Sequence, residues 1–499
     1  MVFPLLPRIL ATSILLILSF PRPDLGFLSL ICLIPLLSAA SRLKTAGRAF
    51  LAGWIAGWVW FFISYSWVSH SISRFSDVPF PLDQGIIALL AAVHALYPGF
   101  FTALARPFLR EKGLWGLLFL PSIWVLLELA RSWFPAPFPW LPLGAALWKT
   151  APLRPLYPLM GVYGASFYVV LFNVFIWKIL SVERRDRRVL GCVFAALVIL
   201  PLVGTLASGT GSGEMIKVGV VQGNIAQDLK WADALAVRVH MDLTADAARQ
   251  GAKIIVWPET ALTLVLEDKS GIAASLRRFA SEHDVHLIVG SLGREIRDEE
   301  ILIYNRAYHL APDGRMETYD KVVLVPFGEY VPFKRVLSFV ERLVPGEREF
   351  AKGSWSGPMS TPVPCGVLIC FEAAFPSLGR REVRDGSRIL ANITNDGWFG
   401  RTWGPHQHLA LAAVRSGENG VPLLRAANTG ISSVVDRKGR IVERIPLDTR
   451  GVIVTDVETG GKPTFYSRFG DWIVIVALTV ITINLFCRIR QRRQKNGAD

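Results

Sequence analysis

Apolar residues in this chain are gathered into runs long enough to cross a lipid bilayer, and that distribution limits the fold more than any motif does. A span needs about 20 mostly apolar residues, because lipid offers the backbone no hydrogen-bond partner and a helix satisfies its own. Such runs lie near 4–20, 25–40, 50–69, 85–105, 114–130, 161–180, 189–207 and 472–487. The second is short enough to be half of a tight hairpin with the first, joined by Phe20-Pro21-Arg22-Pro23-Asp24. Between the seventh and eighth runs, residues 214–458 have the mixed composition of an ordinary α/β domain. The expectation is a polytopic α-helical membrane domain of about seven helices over 1–207. A water-soluble domain follows over 214–458, then a last helix with a basic tail over 471–499. Hydrophobic residues at 52% and charged residues at 19% exclude a wholly soluble chain. The first run is not read as a cleaved signal, since no small-residue cleavage site follows it and further spans do.

The formal net charge is +14, which on a soluble protein would point to nucleic acid. Here the excess sits in short clusters after alternate apolar runs. Arg42, Lys44 and Arg48 follow the second run, and Arg106, Arg110 and Lys112 the fourth. Arg184, Arg185, Arg187 and Arg188 follow the sixth; Arg488, Arg490, Arg492, Arg493 and Lys495 follow the last. Positively charged loops stay in the cytoplasm, so an eight-span chain has both termini there and residues 208–470 outside it. No nucleic-acid partner is expected; the lipid bilayer is. Arg131-Ser132-Trp133-Phe134-Pro135-Ala136-Pro137-Phe138-Pro139-Trp140-Leu141 suits the membrane–water interface, as a simple anchor or as the wall of a lipid site. Glu128 and Arg131 beside it read as a local ion pair. Of five cysteines, only Cys365 and Cys370 lie in the soluble part. Five residues apart on one strand they face opposite ways, so no disulfide joins them.

After the flexible linker Ser208–Gly213 the pattern alternates strands and helices. Strands are expected at 216–221, 253–257, 285–290, 365–370, 388–394 and near 423–427, 431–436 and 451–456, with helices at 233–249, 272–282 and 407–417. Ala307–Leu310 and Met316–Tyr319 read as a hairpin across Pro312-Asp313-Gly314. The mixture implies a layered α/β sandwich.

Three segments of this domain end on reactive groups. Ile254-Ile255-Val256-Trp257-Pro258-Glu259 delivers a carboxylate just past a strand. Asp320-Lys321, with Val325-Pro326-Phe327-Gly328-Glu329-Tyr330 downstream, delivers an ammonium and a second carboxylate. Cys365-Gly366-Val367-Leu368-Ile369-Cys370-Phe371-Glu372 ends an apolar strand on a thiol. Taken alone, the thiol reads first as a buried core residue. His406 and His408 are two apart at a helix start, a spacing that does not converge on a metal. No metal or other cofactor is expected, and no glycine-rich phosphate cradle is present.

Together the three segments resemble the nitrilase superfamily, whose members use a Glu-Lys-Cys triad in an α-β-β-α sandwich. The order Glu259, Lys321, Cys370 matches, as do Gln222-Gly223-Asn224-Ile225, Asn395-Asp396-Gly397-Trp398-Phe399-Gly400, Pro405-His406-Gln407-His408 and Pro422–Gly430. With apolar spans on both sides, the chain is similar in particular to the apolipoprotein N-acyltransferase family. That resemblance implies a bacterial inner-membrane enzyme with a periplasmic catalytic domain, acting as a monomer. Cys370 would be the nucleophile, Glu259 the base and Lys321 the oxyanion partner, with Glu329 and Glu372 in support. Trp231, Phe327 and Tyr330 would contact lipid substrates, with lids over the Phe327–Phe333 and Leu343–Phe350 loops. The acyl donor implied is a phospholipid, through the sn-1 chain of phosphatidylethanolamine, and the acceptor a diacylated apolipoprotein. Phe371 stands where some members carry a tyrosine, so a hydroxyl-dependent role is not carried over. A membrane-anchored amidase or nitrile hydrolase with water as acceptor, and a non-catalytic lipid-binding or transport protein, are the alternatives.

Overall fold

The apolar runs fold as helices, and the soluble stretch folds as two packed sheets. A computed structural model describes residues 2–75, 78–110, 114–180, 187–208, 213–226, 233–267, 270–330 and 350–496. The chain divides into two compact units, one of Met1–Ser66, Gln84–Ala207 and Phe469–Asp499, the other of Trp67–Asp83 and Ser208–Arg468.

The first unit contains α1 (Leu6–Ser19), α2 (Ile34–Arg42) and α3 (Ala46–Ser64). The next helix, α4 (Trp67–Phe75), falls in the second unit. The first unit then continues through α5 (Leu82–Arg110), α6 (Gly116–Arg131), α7 (Leu156–Ile179), α8 (Arg187–Ala207) and a C-terminal helix, Trp472–Asn496. Among the described residues five helices are long and apolar enough to cross a membrane: Ala46–Ser64, Leu82–Leu109, Leu156–Ile179, Arg188–Ala207 and Trp472–Arg490. The apolar runs near 4–20, 25–40 and 114–130 fall on shorter helices, and the run expected at 50–69 stops at Ser64 before α4 begins. Close backbone approach replaces bulk where α3 meets α5. A Cβ on Gly53 would lie 2.3 Å from the Pro98 carbonyl oxygen and 2.2 Å from Thr102 Oγ1, so only glycine fits there. Buried polar ties add direction that apolar contact lacks. Ser13 Oγ donates to the Ala56 carbonyl at 2.9 Å, and Asn173 Oδ1 accepts from Leu33 N at 2.8 Å while its Nδ2 donates to Ser29 O at 2.8 Å.

Glu128 and Arg131 do not simply pair with each other. Glu128 Oε1 accepts from Trp124 Nε1 at 2.8 Å and Leu143 N at 2.6 Å, and Arg131 Nη2 donates to Leu141 O at 3.1 Å. Each buried group thus makes a hydrogen bond to the backbone of the loop after α6.

The second unit runs β1 (Met215–Gln222), α9 (Asp233–Arg249), β2 (Ile254–Val256), α10 (Ser270–His283), β3 (His286–Arg297), β4 (Glu300–Leu310) and β5 (Met316–Asp320). It continues with β6 (Cys365–Ile369), α11 (Pro376–Arg384), β7 (Ile389–Thr394), α12 (Gly404–Asn419), β8 (Leu423–Ala427), β9 (Ser432–Val435), β10 (Ile441–Ile445) and β11 (Gly451–Glu458). One sheet has the order β11-β1-β2-β3-β4-β5 and the other β10-β9-β8-β7-β6. In each, strands joined through helices pair in parallel and the flanking ones antiparallel. Their inner faces share one core, with Val218, Val220, Ile254, Val256 and Ile288 from the first sheet and Val367, Ile369, Ile393 and Leu424 from the second. On the outer face of the first sheet, Ile255, Trp257 and Leu287 pack with Ala236 and Val239 of α9 and Leu276 and Ala280 of α10. Helices α11 and α12 contact β6 and β8 of the second sheet. The layers are therefore α-β-β-α.

Three features depart from the sequence expectation. The β3–β4 hairpin extends well past 290, because residues 294–297 and Glu300 pair outside the core and carry no apolar alternation. The edge strand β10 (burial limited to its ends) and the strongly charged α11 were not anticipated. Finally, β6 ends at Ile369 and Cys370 opens a 3-10 turn, so strand alternation does not separate the two cysteines: both line the core between the sheets. Both are free.

Candidate active site

Glu259 leaves β2 through Trp257-Pro258 at a point where β3 must come very close. A Cβ on Gly290 would meet the Pro258 carbonyl oxygen at 2.2 Å and Glu259 Cα at 2.8 Å. The carboxylate is 5% exposed. Its Oε1 accepts from Asn305 Nδ2 at 2.7 Å and from Lys321 Nζ at 3.2 Å, and its Oε2 accepts from Asn395 N at 2.8 Å. Residues of β4, the end of β5 and the loop after β7 thus converge on one carboxylate.

Lys321 is the first residue past β5, and its own N–H donates to Asn305 O at 2.9 Å. Its side chain is 1% exposed, and Nζ lies 2.7 Å from Glu329 Oε1 as well as 3.2 Å from Glu259. Glu329 is fixed in turn, since Oε1 accepts from Asn305 Nδ2 at 3.2 Å and Oε2 from Val325 N at 2.8 Å. One ammonium between two carboxylates satisfies all three groups, which is the condition for burying charge.

Cys370 sits at the turn that ends β6, with φ +52°, a left-handed value that costs a non-glycine residue energy and recurs at functional sites. Glu259, Lys321 and Thr394 all act on its thiol. Burial pushes the thiol well up, reinforced by the Glu259 charge and opposed by Lys321. Burial also pushes Glu259 up, but Lys321 with the Asn305, Cys370 and Lys321 hydrogen bonds outweighs it and holds the carboxyl below its ordinary value. Burial disfavours the lysine cation, yet Glu259 and Glu329 raise Lys321 above the usual ammonium range. The resting arrangement is therefore a neutral thiol, an ionised Glu259 and a cationic Lys321. Such a thiol attacks only as its proton is taken, and the group positioned to take it is Glu259.

Glu372, two residues beyond the thiol, ties the thiol's turn to the lysine's loop. Its Oε1 accepts from Val322 N at 2.7 Å and Val323 N at 3.1 Å, and its Oε2 from Ile369 N at 2.7 Å and Tyr319 Oη at 3.1 Å. Burial pushes this carboxyl up to about 7 against the pull of those N–H donors and of Lys321. Every partner is a donor, which suits the ionised form.

Phe327 has φ +61° and is 43% exposed, and its N–H donates to Tyr330 O at 2.8 Å, so both belong to the tight loop held by Glu329. Trp231 and residues 331–349, which include the end of one expected lid and nearly all of the other, lie outside the described residues. Among the described residues no group of three or more His, Cys, Asp or Glu side chains could hold a metal. Sequence reasoning missed Asn305, which touches both Glu259 and Glu329. It lies mid-strand, where nothing in the sequence marks it out. The Asn395 N–H on Glu259 gives a physical reason for the Asn-Asp-Gly-Trp segment already singled out.

The family profile described as carbon-nitrogen hydrolase matches residues 217–461, and that for the apolipoprotein N-acyltransferase N-terminal domain matches residues 12–175. The chain is 35% identical over 493 residues to an apolipoprotein N-acyltransferase of Geobacter metallireducens, covering 96% of this chain and 94% of that one. It is 30% identical to the protein of that name in Shewanella oneidensis, over 88% of each. For the one in Haemophilus ducreyi the identity is 30%, over 96% of this chain and 98% of that one.

Proposed function

The chain belongs to the apolipoprotein N-acyltransferase family and is an acyltransferase, and from that premise we propose that Cys370 carries the acyl group between two lipid substrates. In the first half-reaction Glu259 takes the Sγ proton as sulfur attacks the ester carbonyl of a membrane phospholipid. Lys321 stabilises the oxyanion of the tetrahedral intermediate. Collapse breaks the ester C–O bond, and Glu259 returns the proton to the departing lysophospholipid alkoxide. In the second half-reaction the free α-amine of an S-diacylglyceryl-cysteine, at the N-terminus of an apolipoprotein, attacks the thioester. Glu259 accepts the amine's proton, the C–S bond breaks, and the proton passes to the leaving sulfur. The thioester keeps the acyl group activated, and the amide formed last is the least reactive of the three acyl species, so the last step drives the transfer. The donor is phosphatidylethanolamine through its sn-1 chain.

Glu329 keeps Lys321 in place and Glu372 couples its loop to the thiol, while Trp231, Phe327 and Tyr330 contact lipid. The catalytic domain, residues 214–458, works on the periplasmic side of the bacterial inner membrane. Eight spans, seven within residues 1–207 and one within 471–499, leave both termini in the cytoplasm. The observation that carries the reading is the buried pairing of Lys321 Nζ with Glu259 Oε1 at 3.2 Å, both acting on the buried Cys370 thiol. Exposure to phosphatidylethanolamine alone should add one acyl mass to Cys370, stable until a diacylated lipopeptide is supplied. Prompt release of free fatty acid would instead mean that water is the acceptor, and an unmodified cysteine would remove the thioester step.

A further inference from the structure

Behind Cys370, on the side away from Glu259's strand, lies a buried polar cluster that the mechanism above leaves unused. Asn392 and Thr394 come from β7, Asp396 from the loop after it, His408 from α12 and Arg425 from β8; none is more than 1% exposed. Burying five polar groups in one place is costly unless each is satisfied, so their mutual bonding carries information. Arg425 Nη2 donates to Asp396 Oδ2 at 2.7 Å, and Nη1 donates to Asn392 Oδ1. Thr394 Oγ1 donates to Asp396 Oδ1 at 3.0 Å, and His408 Nδ1 lies 3.0 Å from the same oxygen. The cluster also reaches the reacting centre through the backbone carbonyl of Cys370. His408 Nε2 lies 2.9 Å from the carbonyl oxygen of Cys370, and Asn392 Nδ2 lies 3.4 Å from it. A carbonyl can only accept, so Nε2 carries a proton and donates it.

Resting on the reading of Cys370 as nucleophile, we propose that His408 is a positioning residue that holds the Cys370 carbonyl and so fixes the thiol's backbone turn, with Asp396 and Arg425 holding His408. Three facts combine in this. The Cys370 backbone is left-handed at φ +52°, a conformation that must be held by its surroundings. The peptide linking Cys370 to Phe371 is planar, so gripping the carbonyl oxygen also sets the direction of the Phe371 N–H on its opposite edge. The grip comes from a side chain on α12 that is itself locked by β7 and β8, giving the rigid support a reacting group needs. Sequence spacing gives His406 and His408 no metal to bind, and the geometry gives His408 a specific task.

The test is the rate of acyl-adduct formation on Cys370, followed by intact-protein mass over a range of phosphatidylethanolamine concentrations. His408→Leu removes the donor, and a misplaced nucleophile of about 1 Å should slow the maximum rate roughly 100-fold. The half-saturating lipid concentration should stay as in wild type. His408→Gln keeps an N–H able to reach the carbonyl and should recover most of the rate, whereas loss of folding would not be rescued in this selective way. Asp396→Asn, which weakens the hold on His408 without removing it, should also slow the rate at unchanged half-saturation, and it serves if His408→Leu does not fold. A wild-type rate in folded His408→Leu or in Asp396→Asn, or a folded His408→Gln no faster than His408→Leu, would overturn the proposal. Cys370→Ala separates the two readings. If it still transfers acyl groups, the nucleophile is misassigned; if it is inert while His408→Leu acylates at full rate, only the positioning role fails.

Discussion

Replacing Lys321 with methionine tests the charge arrangement at its centre. The side chain is 1% exposed and lies between Glu259 and Glu329, at 3.2 Å and 2.7 Å. Methionine fills similar volume but leaves two carboxylates that share a single neutral donor, Asn305 Nδ2, at 2.7 Å and 3.2 Å. Removing one partner from a buried ionic cluster typically costs about 3–5 kcal/mol, so a drop in melting temperature is expected. Two like charges this close do not both stay ionised, and Glu259 then holds a proton at neutral pH and fails as a base. Loss of a base costs about 10²–10⁴ in rate, and loss of an oxyanion partner about 10²–10³. Acylation of Cys370 should therefore fall by at least about 10⁴ even where the protein is folded. The pH dependence has a definite sign. Glu259 is depressed, so its stabilising contribution is present above the unfolded carboxyl value of about 4.3 and is lost as pH falls through the folded value. Lys321 is raised, so its contribution is complete below about 10.4 and is lost only as pH rises through the folded value. The stability gap between wild type and Lys321→Met should thus be widest between those limits and shrink in acid. Thermal melts across pH, with mass-detected acylation at neutral pH, measure both effects. Acylation within tenfold of wild type, or a gap that grows in acid, would refute the reasoning.

Glu372→Gln puts an amide NH2 against at least one of the donors that now point at Glu372, costing about 1–3 kcal/mol; acylation should slow as the thiol's turn loosens from the Lys321 loop, and an unchanged rate would sever that link. Gly290→Ala drives a methyl into the Pro258 carbonyl, 2.2 Å away; it should displace Glu259 and cut acylation more than it lowers the melting temperature. Reporter fusions address topology: one after Asp499 should read cytoplasm, and one in the Ser208–Gly213 linker should read the opposite side.

How much of this was legible in the sequence depends on whether a feature repeats along the chain or is assembled across it. Apolar runs and β/α alternation are local and periodic, so α9 was recovered at its own boundaries and β6 to within one residue. Apolarity alone did not reveal that the run at 50–69 breaks after Ser64, where α4 begins a new helix. The β3–β4 arm failed for the converse reason: its tip lies outside the core, and its exposed residues follow no period. Glu259, Lys321, Cys370, Glu329 and Glu372 could be singled out because each sits at the end of a strand or in the loop beyond it, in a recognisable word. Asn305 and His408 were not, because their roles exist only after folding. Asn305 pairs across the hairpin with Leu292, so β3 sets which residues flank it, and its amide then reaches a carboxylate 46 residues earlier. His408 reaches back 38 residues to a carbonyl, a group present at every position and therefore invisible to any residue pattern. Reactive groups at strand ends thus announce themselves by type and spacing, whereas the groups that hold them do so only through the fold. The second kind is where variants designed from sequence alone would most often miss their target.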